Sequence, residues 1–401
     1  MRRLVAAIAL LCALALPAGA QALTPAGLQA KLTREMRIVG ARGSAYVLDL
    51  QSGQPLFAWR ADTARPPASV EKLYTTSTAL LRLGPDTTFD TEVLTGVPVT
   101  PDGTLDGDLW LRGGGDPTLS TLRLDQLARQ VAAAGVTSIH GDVVGDGTVF
   151  DALRGSFRTG GAADSDMTGA LGGLTVNRGY DGYRYAASPA LVAAKRFFRS
   201  LRRAHIRVLG RAAAGPTDPG ASRLALTSSV PLRTLVAETN APSDNFYAET
   251  ILKALGARIG NAGTTAAGAA VVRDQLATFG VHPRVTDGSG LSRADRTTPR
   301  QVVRLLDRMD GQQVASDFKG SLAVPARTGT LRRRMRGTAA AGRCQAKTGT
   351  LRAVSALAGY CPSRDGHTLA FAFLMSSVNV FTAHGVQDRG TAAIAGTTVG
   401  G

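Results

Sequence analysis

Two consecutive prolines, Pro66 and Pro67, divide the N-terminal part of this 401-residue chain into segments that cannot share one secondary-structure element. Upstream, "SAYVLDL" and "PLFAWRA" flank "QSGQ", two apolar runs around a Gly-containing turn, which predicts a strand pair. Downstream, "SVEKLYTTSTALLRLG" carries apolar residues at helical spacing. Proline has no amide hydrogen and its ring blocks a helix arriving from upstream, so the helix must begin after Pro67, with Ser69 in its first turn. That turn lies at the positive end of the helix dipole. Ser69 and Lys72, three positions apart, then share one face.

Lysine is an uncommon choice here. Six lysines (Lys31, Lys72, Lys195, Lys253, Lys319, Lys347) stand among 46 basic residues, the rest being arginine. A hydroxyl nucleophile needs a base that can lose its proton, which a desolvated lysine can do and a guanidinium cannot. Lys72 therefore fits a general base for Ser69, the alternative being a helix cap with an exposed lysine. A Ser-x-x-Lys pair arises by chance about once in a chain this long, and it recurs as "SDFK" at 316–319.

The length suggests two or more domains. Residues 1–22 combine a charged start, the apolar run "LVAAIALLCALAL" and small residues at A-x-A spacing, which reads as a cleaved secretory signal. No second hydrophobic span follows, and no lipid-anchor site precedes Cys12. Export leaves Cys344 and Cys361 as an even pair in an oxidising compartment, so a disulfide between them is expected, two buried thiols being the alternative. If "AKTGT" and "VSALAGYC" form an antiparallel hairpin turning at Arg352-Ala353, Cys344 falls directly opposite Cys361. Cys344 and Lys347, three apart on a strand, face opposite sides of the sheet. The bridge would then lie behind the strand, against helices. The net charge of +16 points to no nucleic acid in an exported chain; its arginines are scattered except at 195–207 and 332–336. Solvated helix faces, with a weak attraction to anionic cell-wall polymers, account for it.

From about 88 to 222 the texture changes to short strand-like pieces and Gly/Asp turns alternating with "LDQLARQVAAAG" and "SPALVAAKRFFRSLRRAHI", which reads as an inserted α/β unit. The flanking parts, 23–87 and 223–401, then form one α+β domain. "SDN" at Ser243-Asp244-Asn245 supplies a second hydroxyl and a carboxamide, and "KTGT" at Lys347-Thr348-Gly349-Thr350 supplies a cation on a small-residue strand. Decoys exist in "SVN" (377–379) and "RTGT" (327–330), but only one combination runs in the order Ser-x-x-Lys, Ser-Asp-Asn, Lys-Thr-Gly, the set found in penicillin-interacting serine enzymes. With "LWLRGGGDPTLS", "DGSGLSR" and "GTLRRRMRGT", the chain resembles the low-molecular-mass class C penicillin-binding proteins, which are D-alanyl-D-alanine carboxypeptidases and endopeptidases. It departs from that family's pattern at 154–167.

The resemblance implies a penicillin-binding transpeptidase-like domain, an antiparallel sheet flanked by helices, with a large inserted α/β domain between the first and second motifs. It implies an enzyme without cofactor or metal acting on peptidoglycan stem peptides ending in D-Ala-D-Ala, and covalently inhibited by β-lactams. Ser69, Lys72, Ser243 and Lys347 take the catalytic positions. Asn245, Thr348, Gly349 and Thr350 take the substrate-binding ones, and the backbone N–H groups of Ser69 and Thr350 the oxyanion hole. A serine β-lactamase is the rival enzyme, but it needs a deacylating glutamate. None of the five glutamates (35, 71, 92, 238, 249) occurs as Glu-x-x-x-Asn between the first two motifs. A penicillin-binding sensor or wall-binding protein with little turnover is the non-enzyme rival. Asp287 and Ser289 read as a structural turn, and Glu71 and Asp244 take no proton-transfer role.

Overall fold

The computed structural model describes residues 22–156, 160–163 and 165–400. The expected leader lies outside them save Ala22, as do residues 157–159 and 164 of the segment that departs from the family pattern. The first segment contains helix α1 (Pro25–Val39), strands β1 (Gly43–Asp49) and β2 (Pro55–Trp59), a 3-10 turn (Ala68–Glu71) and helix α2 (Lys72–Leu83). β2 ends at Trp59, well before the prolines, and Pro67 immediately precedes the 3-10 turn; Ser69 sits in that turn and the α-helix starts at Lys72. In 3-10 geometry residues i and i+3 eclipse, which stacks Lys72 on Ser69 more directly than an α-turn would.

The insert follows as β3 (Asp90–Thr95), β4 (Thr104–Leu105), β5 (Leu109–Gly113), α3 (Thr121–Ala133), β6 (Ser138–Ile139), β7 (Val143–Asp146), α4 (Pro189–Arg203), β8 (Arg207–Val208), β9 (Ala212–Ala214) and β10 (Ser222–Ser228). It builds a mixed sheet, β10-β3-β5-β7-β9, and a small parallel one, β4-β6-β8. Because β10 pairs along β3, the insert's sheet runs to Ser228, past the boundary at 222 that composition suggested. The chain then forms α5 (Leu232–Asn240), α6 (Asn245–Arg258), α7 (Thr265–Ala277), α8 (Pro299–Asp310), α9 (Ala315–Gly320), β11 (Gln345–Leu351), β12 (Val354–Pro362), β13 (Thr368–Ser376) and α10 (Val380–Ala395).

The main sheet, β11-β12-β13-β1-β2, is antiparallel and draws strands from both ends of the chain. It is covered on both faces, so "TLAFAFLMS" reads as a continuous apolar run. Its alternation still sorts by size: Ala370, Ala372 and Leu374 face the core shared with α2 and α8, while Phe371, Phe373 and Met375 face α1 and α10.

The β11–β12 register runs from Gln345↔Tyr360 to Leu351↔Val354, so the hairpin turns at Arg352-Ala353. Ala353 takes the left-handed backbone (φ +58°) that Asn or Gly usually supplies in such a turn. A disulfide joins Cys344 to Cys361, with Cα atoms 4.2 Å apart. Both cysteines belong to the α1/α10 core, behind β11. Helix α2 is buried nearly all round, and most of its hydroxyls find partners: Thr76 donates to Lys72 O (2.7 Å), Thr75 to Gly288 O (2.9 Å), and Tyr74 pairs with Thr297 (2.6 Å). A helix so enclosed gives Lys72 a fixed, dry position.

Candidate active site

Three elements converge around Ser69: its own turn, the loop leading into α6, and edge strand β11. The turn is shaped by Ala68, which adopts φ +47°, a strained conformation for a residue with a Cβ and one that persists only where surroundings enforce it. β11 packs against this turn through Gly349. A Cβ there would lie 2.6 Å from Pro67 O and 3.0 Å from the Ser69 nitrogen, so only glycine permits the approach.

Lys72 is fully buried and its Nζ donates three hydrogen bonds, to Ser69 Oγ (3.0 Å), Asn245 Oδ1 (2.6 Å) and Ser289 O (2.7 Å). Three directed acceptors aim the amine at the Ser69 hydroxyl. Burial lowers its pKa from 10.5 to about 8, against the opposing fields of Asp287, Glu249, Asp244 and Glu71. Lys347 is also fully buried, donates to Thr348 O (2.9 Å), and is pushed well below the usual lysine range by burial and by Lys72. Two ammonium groups in one dry site repel each other, so the ligand-free site favours losing a proton.

Asn245 begins α6, Asp244 caps it by accepting the Tyr247 amide (3.0 Å), and Ser243 immediately precedes the cap. Ser243 adopts φ +69°, a second non-glycine residue in left-handed backbone at the site. Asn245 is held at both ends of its amide, Oδ1 accepting from Lys72 and Nδ2 donating to Asp166 O (2.6 Å). On β11, Thr348 Oγ1 donates to Thr330 Oγ1 (2.8 Å), and Thr350 is exposed. The motif decoys lie elsewhere or serve as support. Lys319 pairs with Asp310, and Asn379 caps α10 by accepting the Thr382 amide (3.1 Å). The "RTGT" turn, through Thr330, buttresses β11 and donates its amide to Ala241 O (3.0 Å), just before Ser243.

Several contributors escaped sequence reasoning. Glu249 accepts the amides of Gly288 (2.9 Å) and Ser289 (2.8 Å), fixing the loop whose Ser289 carbonyl receives Lys72. Burial raises its pKa to about 7, with Asp287 adding to the rise. Glu71 is fully buried beside it. Neither of its carboxyl oxygens has a hydrogen-bond partner among the described residues, and burial, then Asp295, Asp287 and Glu249, push its pKa well up. Asp295, raised to about 9 chiefly by burial, accepts from the Thr286 amide (2.7 Å) and hydroxyl (2.6 Å). The available signal was position: Glu71 adjoins Lys72 and Glu249 lies four residues after Asn245, one helical turn inward.

The chain matches the D-Ala-D-Ala carboxypeptidase 3 (S13) family over residues 26–170 and 172–396. It is 31% identical over 433 aligned positions to a D-alanyl-D-alanine carboxypeptidase of Actinomadura sp. strain R39, covering 87% of this chain and 80% of the relative. Its fold is that of penicillin-binding protein 4 (dacB) from Haemophilus influenzae, with TM-score 0.78 at 19% identity over 89% of this chain and 97% of the other. A complex of that protein with a novel β-lactam superposes at TM-score 0.73 and 21% identity, over 90% and 97% of the two chains. A serine and a desolvated lysine on one turn, faced by Ser-Asp-Asn and Lys-Thr-Gly on a two-part fold matched along nearly its whole length, make this chain a member of the D-Ala-D-Ala carboxypeptidase 3 (S13) family, a serine-type D-alanyl-D-alanine carboxypeptidase.

Proposed function

We propose that Ser69 attacks the carbonyl between the two terminal D-alanines of a peptidoglycan stem peptide while neutral Lys72 takes its proton. The Oγ–C bond forms, the amide C–N bond breaks, and Ser243 relays a proton to the departing D-Ala amine. Water then hydrolyses the acyl-enzyme. Asn245 holds the acyl amide, and Lys347, Thr348 and Thr350 receive the substrate carboxylate. A carboxylate arriving there restores the ammonium that burial and Lys72 destabilise, so substrate binding charges Lys347 and biases Lys72 toward the base form. The backbone N–H groups of Ser69 and Thr350 stabilise the oxyanion, a contribution of several kcal/mol in other acyl transfers. β-Lactams acylate the same serine. The observation that carries this reading is the 3.0 Å contact between Lys72 Nζ and Ser69 Oγ, directed by two further acceptors.

The protein acts after export, residues 1–22 being its leader. The exposed Lys195, Arg199 and Arg202 of α4 supply its weak attraction to anionic wall polymers. The deciding experiment incubates the mature protein with a synthetic stem pentapeptide and a cross-linked dimer, and maps a labelled penicillin by peptide mass. Release of D-Ala or of separated monomers, with label on Ser69, is expected. Label on Ser243 or Ser316 in folded protein would refute the assignment.

A further inference from the structure

We propose that Arg178, contributed by the inserted domain, is a positioning residue for the catalytic centre, gripping Asp244 and so seating Ser243 and Asn245. The proposal rests on the mechanism above. Asp244 Oδ1 accepts the Tyr247 amide at the start of α6, and Arg178 closes on the same carboxylate with both terminal nitrogens, Nη2 on Oδ2 and Nη1 on Oδ1 (3.4 Å). The guanidinium also lies 5.2 Å from the Phe246 ring centre and 5.0 Å from that of Tyr247, so one planar cation contacts three residues of the α6 start, Asp244, Phe246 and Tyr247. Its own position is fixed from the insert's side, where Nη1 donates to Thr168 Oγ1 (3.0 Å) and Thr168 O (3.2 Å). A fork that also stacks is a property of arginine, which lysine lacks.

Backbone conformation shows why such a grip matters. Ser243 holds φ +69°, and Asn177 and Arg178 hold φ +48° and +58°, so left-handed residues face each other across the boundary between insert and catalytic domain. Non-glycine residues stay in that region only when their neighbours over-determine them. The Arg178 segment is anchored by Asn177 N–H on Leu119 O (2.8 Å) and by Ala170 N–H on Arg178 O (2.9 Å). The insert also reaches the third residue of the motif, through the Asp166 carbonyl on Asn245 Nδ2. Two of the three residues of the second motif are therefore bonded to the insert directly, and Ser243 is flanked by that clamp.

The grip has an electrostatic side. Lys72 faces Glu71, Asp287, Glu249 and Asp244, with Lys347 as the neighbouring lysine. Arg178 neutralises Asp244. Without it the Asp244 anion favours the protonated form of Lys72, and acylation shifts to higher pH.

The test measures second-order acylation of Ser69 by a fluorescent penicillin, as a function of pH, alongside thermal melting. Penicillin is small, so its rate reports the catalytic centre and not stem-peptide contacts to the insert. The variants are Arg178→Ala, Arg178→Lys, Asp244→Asn and the double variant Arg178→Ala/Asp244→Asn. For Arg178→Ala the expected result is a loss of about 10- to 100-fold with the profile moved to higher pH, since small misplacements of catalytic groups cost this much. Arg178→Lys should restore the pH profile but only part of the rate, and the double variant should be no slower than the slower single. Should Arg178→Ala not fold, Arg178→Lys and Asp244→Asn carry the test through rate and profile. A folded Arg178→Ala, or in its absence both Arg178→Lys and Asp244→Asn as single variants, acylating within about twofold of wild type on an unshifted profile would overturn the proposal, even with a lowered melting temperature. Wild-type protein left unlabelled at Ser69 would instead overturn the mechanism, and this inference with it.

Discussion

Acylation of Ser69 should accelerate steeply with pH, because the rate follows the neutral fraction of Lys72. With a pKa of about 8, set by burial, the amine is neutral in about 1 molecule in 100 at about pH 6, about 1 in 10 at about pH 7 and about half at about pH 8. The rate constant for a fluorescent penicillin should rise about 50-fold from about pH 6 to about pH 8, then flatten above about pH 9. An ordinary exposed lysine would still be rising there. The assay is stopped-flow or quenched labelling at constant ionic strength, with a Lys72→Arg control whose residual rate should not follow this curve. Folding stability responds in the same direction for this group. Its folded pKa is depressed from 10.5 to about 8, so the unfolded chain binds more protons between those values and the contribution of Lys72 to stability grows as pH rises through that window. A rate flat between about pH 6 and 9, or falling, would refute Lys72 as the base.

Lys72→Arg should keep the fold but lose acylation by orders of magnitude, whereas Lys347→Arg should retain a measurable rate; near-wild-type rates in both would rule out this division of roles. Gly349→Ala should slow acylation about 100-fold, since its Cβ would stand 2.6 Å from Pro67 O and force β11 away from the nucleophile turn; an unchanged rate would contradict the packing. Replacing Cys344 and Cys361 by alanine opens a bridge of sequence separation 17 and should cost about 3 kcal/mol in urea unfolding. Acylation at room temperature should stay within about twofold, because the bridge lies on the α1/α10 side. An unmoved unfolding midpoint would refute the structural role.

What the sequence could disclose was local. The break at Pro66-Pro67, the shared face of Ser69 and Lys72, and the β11–β12 register centred on Arg352-Ala353 all follow from spacings within one element or one hairpin. The 3-10 start was not legible, because Ala68 reaches its left-handed backbone through tertiary packing: its carbonyl would sit 2.0 Å from a Cβ at Gly290. Nor were Glu249, Thr330 and Arg178, whose partners come from distant segments. Glu249 serves the 288–289 loop, Thr330 an edge strand, and Arg178 a helix start 66 residues on. Nothing in "YAE", "RTGT" or "NRG" by itself points to those partners.

The order of the main sheet also governs when chemistry can begin. β1 pairs with β13, so the N-terminal hairpin has no inner neighbour until residues 368–376 have been made. Arg65, just ahead of the nucleophile turn, bonds Ser376 Oγ at 2.9 Å across 311 residues, and the Lys72 acceptors Asn245 and Ser289 lie 173 and 217 residues downstream. In a growing chain Ser69 is thus an ordinary serine with an ordinary, protonated lysine nearby. Closure over such separations is slow and comes late. Ser69 is synthesised early, and the contacts that shape its turn and direct Lys72 wait for segments made much later, β13 the last strand among them.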